Sequence, residues 1–191
     1  MTNIEKGGTS LPQARWRLMQ SQAENAPGSA SAVLAVNGGS SSIKFAWFDI
    51  AGGPRRRLSG TLDRIGLPGG TLHTHDIRTN QTDSVPLSTR DHAAAVEQLV
   101  DWLRRRTDLA SLAAVGHRIV HGGSKLIGPC WIDDGVLQDL RRMAPFDPDH
   151  LPGEIELIEG FRRSTPQARQ AACFDTAFHR NLPQVARLLA I

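Results

Sequence analysis

The sequence predicts an α/β fold with a mixed sheet flanked by helices. Three observations carry this. Short apolar runs of strand length open the folded part, at Val33–Val36 and Ile43–Ile50. One segment has a clear helical period: Val96, Leu99, Val100 and Leu103 fall at i, i+3, i+4 and i+7. Beyond that helix, apolar strand-like runs at Leu112–Gly123 and Ala168–Phe178 alternate with helical stretches.

The elements follow in order. Met1 to Ser31 is polar and rich in Gly, Ser, Pro, Gln and Ala, and reads as a disordered leader with one short helix around Ala14 to Gln20. Folded sequence begins at Ala32, giving one domain over residues 32–191. The runs Val33–Val36 and Ile43–Ile50 flank a turn of Asn37, Gly38, Gly39, Ser40, Ser41 and Ser42. Arg55–Ile65 reads as a third strand, Gly66–Gly70 as a loop and Thr71–Thr79 as a fourth strand, with a turn at Asn80–Asp83. Ser88–Arg106 is the strongest helix, with Ser88 and Asp91 as its expected capping pair. Leu112–Gly123 is a strand running into a glycine turn. Asp133–Met143 and Pro152–Arg163 are helical. Asp149 or Asp147 is the expected cap of the second. Ala168–Phe178 begins as a strand, and Pro183 opens a last helix.

Composition narrows the function classes. Of 191 residues, 40% are hydrophobic and 21% charged, with 22 basic and 19 acidic groups, which is ordinary for a soluble domain. Nearly all the cations are arginine, clustered at Arg55–Arg57, Arg104–Arg106, Arg141–Arg142 and Arg162–Arg163. Acids interleave them and aromatic residues do not, so they read as solvated faces and no nucleic-acid site is expected. Cys130 and Cys173 form neither a disulfide framework nor a metal spacing, which fits a cytoplasmic location. No apolar run approaches the ~20 residues of a membrane span. His73 and His75 share a strand face, but no further ligand accompanies them, and they read as surface residues. Trp47, Trp102 and Trp131 read as packing residues.

The turn at Asn37–Ser42 holds more small polar groups than a hairpin needs. It lacks the GxxxxGK[ST] pattern and the GxGxxG pattern of the common nucleotide loops. Its backbone N–H groups and hydroxyls can surround a phosphate, and Gly38 and Gly39 let a ligand approach. Lys44 adds positive charge just past the turn. The Asn37 amide oxygen suits a hydrated Mg²⁺. A serine-rich turn beside a snorkelling lysine accounts for the same residues without a ligand. Arg118 sits among Val115, Ile119 and Val120, where a guanidinium needs an anion or a structural partner. Asp175 ends an apolar run, where α/β sheets open their crevices or where a carboxylate caps a turn.

Three segments, "VNGGSSSIK", "VGHRIVHGG" and "FDTAFH", together resemble the acetate kinase family in order and spacing. The resemblance covers Val33 to Ile191. It implies an actin-like, RNase H-like ATPase domain. It implies reversible, ATP- and Mg²⁺-dependent phosphorylation of acetate or another short-chain carboxylate. By motif, Asn37 resembles the magnesium-associated residue. Ser40, Ser42 and Lys44 resemble phosphate-side residues. Arg118 resembles the carboxylate-holding arginine, Val120 and Phe146 the apolar pocket, and Asp175 the catalytic aspartate. His117, His121 and His179 fall inside the motifs as supporting residues. Asp147 stands where the family usually has His, with His150 nearby. The resemblance also implies a second domain downstream, through which the family tends to dimerise. The chain is therefore expected to be an N-terminal half. As such it is either a piece of a kinase with little activity alone, or a non-catalytic remnant that binds phosphate or pairs with a separate second half. One or two methylenes change discrimination by only ~1–3 kcal/mol, so acetate and propionate both remain candidates.

Overall fold

The computed structural model describes residues 31–178. The leader before Ser31, His179 and the helix expected from Pro183 lie outside the described residues. Eight strands form one sheet: β1 (Ala32–Gly39), β2 (Ser42–Asp49), β3 (Arg55–Asp63), β4 (Thr71–Asp76), β5 (Gln81–Pro86), β6 (Leu112–Ile119), β7 (Cys130–Trp131) and β8 (Arg169–Phe174). Their order across the sheet is β5-β4-β3-β2-β1-β6-β8-β7. β1 to β5 form an antiparallel meander, whereas β1, β6 and β8 run parallel. The helices are α1 (His92–Arg106), α2 (Asp134–Met143), α3 (Leu151–Ser164) and the single turn α4 (Asp175–Phe178).

Alternation along the strands decides where the core lies. Leu34, Val36, Ile43, Phe45, Trp47 and Val115 are buried against Val96, Leu99 and Leu103 of α1 and Leu157 and Phe161 of α3. A second cluster continues this layer, with Ile119, Ala172 and Phe174 packed under Val136, Leu137 and Leu140 of α2. The intervening residues Val33, Ala35, Ala46 and Gly116 face the other way, over an accessible hollow of about 600 Å³.

Several sequence expectations shift. β1 and β2 stay paired as far as Gly39 and Ser42, so the hairpin turn is only Ser40–Ser41 and Asn37 belongs to a strand. Asp91, not Ser88, caps α1, accepting a hydrogen bond from the Ala94 N–H at 2.8 Å. The expected turn at Asn80–Asp83 instead runs into β5, an edge strand with no apolar alternation. β5 is held by its ladder to β4 and by the Asp83–Arg106 ion pair. Neither Asp147 nor Asp149 caps α3; the capping position is His150, and its side chain makes no capping bond. His73 is exposed and His75 half-buried, and they bond to Ser84 and Asn80 respectively. Among the described residues no group of three or more His, Cys, Asp or Glu side chains is placed to hold a metal ion. No described helix is long and apolar enough to cross a membrane.

Candidate active site

The sheet register assembles the site. Asn37 pairs with Lys44 across the hairpin and with Arg118 across the parallel ladder, and Arg118 pairs with Cys173. Four strands thus bring Lys44, Asn37, Arg118 and Cys173 into one line. Asp175 follows two residues beyond Cys173, where β8 ends and α4 begins. This is the carboxyl end of the three parallel strands, where open α/β sheets form ligand crevices.

Arg118 is gripped from two sides. Its Nε and Nη2 donate to the Asp175 carboxylate at 3.0 and 2.5 Å, and its Nη1 donates to Asn37 Oδ1 at 3.0 Å. A guanidinium has five N–H donors, so donors remain for a ligand. The ion pair is solvent-accessible: the two side chains are 48% and 30% exposed. A pair so exposed contributes only ~0–1 kcal/mol to stability, so Asp175 can release Arg118 at little cost. Asp175 bonding also raises the already high pKa of the guanidinium, against the opposing effect of burial. Lys44 has no carboxylate partner among the described residues. A cleft of about 640 Å³ runs from Ser40, Ser42 and Lys44 past Arg118 to Val120 and His150.

Support for this cleft comes from α3 and the loop ahead of it. The Val120 N–H donates to Glu154 Oε1 at 3.1 Å. Glu154 is only 4% exposed, and its Oε2 has no partner. Burial pushes its carboxyl up to about 7; the Val120 N–H opposes this, Asp147 adds to it, and His150 and Arg118 oppose it. Asp147 accepts from His150 Nδ1 at 2.8 Å and lies 3.6 Å from His121 Nε2. The bond to Asp147 raises the pKa of His150. His117 lies in the core behind the arginine, bonded to Gln170 at 2.5 Å and edge-on to Phe161. Burial lowers its pKa to about 4, so it is neutral and supports the strand.

The structure therefore gathers Asn37, Ser40, Ser42, Lys44, Arg118, Val120 and Asp175. Phe146 is not gathered: it is 85% exposed on a 3-10 turn and lines neither hollow. Gly38 has a role the sequence did not show. A Cβ there would collide with Leu157 Cδ1, so this glycine, which also lines the cleft, admits α3 against the hairpin. Glu154 was also missed. In sequence it is an ordinary first-turn acid of a helix, and its burial depends on a contact 34 residues away.

The class of protein is set by this mixed, helix-flanked sheet with a row of polar and basic side chains at the ends of its parallel strands. The profile of the Acetokinase family matches residues 32–191, and the chain belongs to that family. It is 36% identical over 159 residues to the acetate kinase of Pseudarthrobacter chlorophenolicus, covering 83% of this chain and 39% of that one. It is 37% identical over 163 residues to the acetate kinase of Ectopseudomonas mendocina, covering 85% and 40%. Among solved structures, Porphyromonas gingivalis acetate kinase matches with a TM-score of 0.72 at 29% identity, over 82% of this chain and 40% of that one. A propionate kinase from Francisella tularensis matches with a TM-score of 0.72 at 28% identity, over 81% and 39%. The domain has the actin-like fold of these kinases. The chain spans about 40% of the length of the relatives it matches.

Proposed function

We propose that this chain supplies one wall of an acetate kinase-type active site. The reaction is ATP plus a short-chain carboxylate to acyl phosphate plus ADP, and it is reversible. The observation that carries this is the row Lys44–Asn37–Arg118, which borders both the cleft and the neighbouring hollow, with Asp175 bonded to Arg118 on the hollow side.

Each residue then has a physical task. The spare N–H groups of Arg118 hold the substrate carboxylate, and Val120 faces its alkyl end. Ser40, Ser42 and Lys44 provide hydroxyl donors and positive charge for the transferring phosphoryl group. Asp175, bonded to Arg118 through both carboxylate oxygens, positions that guanidinium. Asn37 would offer Mg²⁺ a hard oxygen once Arg118, now bonded to it, turns to the substrate; Mg²⁺ commonly takes one or two protein oxygens beside phosphate and water. When bound, Mg²⁺ neutralises charge on the phosphate oxygens. A carboxylate oxygen bonds to the terminal phosphorus as the bond to the departing ADP breaks. Little covalent chemistry falls to the protein, so positioning and charge carry the rate.

The same row also serves a second reading, a non-catalytic remnant that binds phosphate or pairs with a separate second half. The accessible face of Val33, Ala35, Ala46 and Gly116 favours pairing, because it lies beside the cleft. An acyl-hydroxamate assay separates the two readings. We expect no turnover by the 191-residue chain alone, because it spans only about 40% of the length of its relatives. Turnover should appear when the remaining length of a related kinase is added, and Arg118→Ala should remove it. Failure to gain turnover with a partner that folds and binds would favour the remnant. Turnover by the chain alone would overturn the idea of an incomplete site.

A further inference from the structure

We propose that Glu154 is a proton-linked positioning residue: its buried carboxyl, set between the end of β6 and the first turn of α3, takes up a proton as an anion enters the cleft beside Arg118. Anion binding therefore weakens as this carboxyl ionises. The proposal rests on the reading of the cleft as an anion site.

The geometry is specific. Glu154 Oε1 tethers the Val120 N–H, two residues beyond Arg118 and on the cleft wall. Oε2 is buried without a partner. A charged oxygen in that position lacks both water and a donor, and protonation relieves it. The tether survives protonation, because the carbonyl oxygen of a neutral carboxyl still accepts the Val120 N–H. Val120 thus stays in place while the local charge changes.

The surrounding charges give the coupling its sign. Arg118 on β6 and His150 ahead of α3 are the cations that favour the ionised carboxylate, and Asp147 opposes it. Asp149, Glu156 of α3 and His92 of α1 border the same small hollow of about 240 Å³. An anion beside Arg118 and His150 cancels part of the field that keeps Glu154 charged. Its carboxyl then holds its proton more tightly. By linkage, a lower pH strengthens anion binding. The burial that already lifts this carboxyl to about 7 places the transition at neutrality.

Sulfate is a suitable probe because its charge is constant between about pH 6 and about pH 8. His150 loses charge in the same direction, so its contribution is removed with His150→Gln. In that background, sulfate affinity should fall several-fold from about pH 6 to about pH 8, short of the ~10-fold per pH unit that one linked proton allows. Adding Glu154→Gln, which keeps the acceptor for Val120 and cannot ionise, should remove most of that fall. Identical pH profiles with and without Glu154→Gln would overturn the proposal. Carboxyl-carbon NMR on the unsubstituted chain gives a second measurement. The Glu154 signal and the Val120 amide should titrate together near neutrality, with a midpoint that rises when sulfate is added. A Glu154 midpoint in the ordinary carboxylate range would overturn the proposal. Sulfate binding with an unshifted midpoint would end the coupling and leave the anion cleft standing. No sulfate binding at any pH would sink both.

Discussion

The two faces of the central strands differ in size and in chemistry. On the helix-covered face, Leu34, Ile43, Phe45, Trp47 and Ile119 are large and almost wholly buried. On the other face, Val33, Ala35, Ala46 and Gly116 are smaller and accessible. The polar row of Lys44, Asn37 and Arg118 continues that second face. The same strands therefore hold the fold together with one set of side chains and present chemistry with the alternate set. Stability and function should be separable here by the parity of the residue alone.

The largest effects should come from breaking the covered face. Leu34→Ala should lower unfolding free energy by ~2–5 kcal/mol through lost transfer energy and a residual cavity. Urea unfolding would show it, whereas Ala35→Ser, one residue along on the open face, should change it by less than ~0.5 kcal/mol. Equal effects would mean that the open face is covered by something else.

The polar row should show the opposite balance. In a chain completed to an active kinase, Arg118→Ala should lower kcat/KM by ~2–4 kcal/mol, through loss of a charge-assisted pair with the substrate carboxylate. Asp175→Asn should likewise reduce turnover strongly, yet alter stability by no more than ~1 kcal/mol, since the ion pair it weakens is exposed. A matching loss of stability in either variant would make the row structural.

Buried titratable groups on the covered side set the pH range of stability. His117 has its pKa lowered from 6.5 to about 4, so its contribution is complete above 6.5 and is lost as pH falls through about 4. Glu154 has its pKa raised from 4.5 to about 7, so its contribution is complete below 4.5 and is lost as pH rises through about 7. Between pH 4.5 and pH 6.5 the two slopes oppose each other, so thermal stability should be nearly level there, and Glu154→Gln should uncover the His117 slope alone. Glu154→Gln should raise stability at alkaline pH by ~1–3 kcal/mol. A Glu154→Gln chain no more stable than the unsubstituted one above about pH 7 would contradict this.

A smaller effect tests how the helix layer meets the hairpin. Gly38→Ala should cost ~1–3 kcal/mol by overpacking against Leu157. Leu157→Ala should tolerate the added methyl, so the double variant should lose less than the sum of the two single ones.

Much of this was legible in sequence because its causes are local. The period of α1, the helical stretch of α2 and the apolar runs of β1, β2, β6 and β8 all leave patterns within a few residues. Arg118 was legible as an inconsistency, a charge in an apolar strand that needed a partner, and the partner is Asp175. Other features depend on distant chain. β5 has no apolar face, because an edge strand draws its order from the neighbouring ladder. β7 is only Cys130–Trp131, too short to show a period. The burial of Glu154 follows from how α3 docks on the end of β6. The value of Gly38 follows from Leu157, far along the chain.

The proposed function depends on the Lys44–Asn37–Arg118 row at the end of the open face being an anion site. The most direct measurement is an amide and guanidinium NMR titration of the ¹⁵N-labelled chain with acetyl phosphate. Saturable shifts confined to the Ser40–Lys44 segment, Asn37, Arg118, Val120 and Asp175 are expected. Shifts that instead gather at Arg55–Arg57 or Arg104–Arg106, or that never saturate, would contradict this.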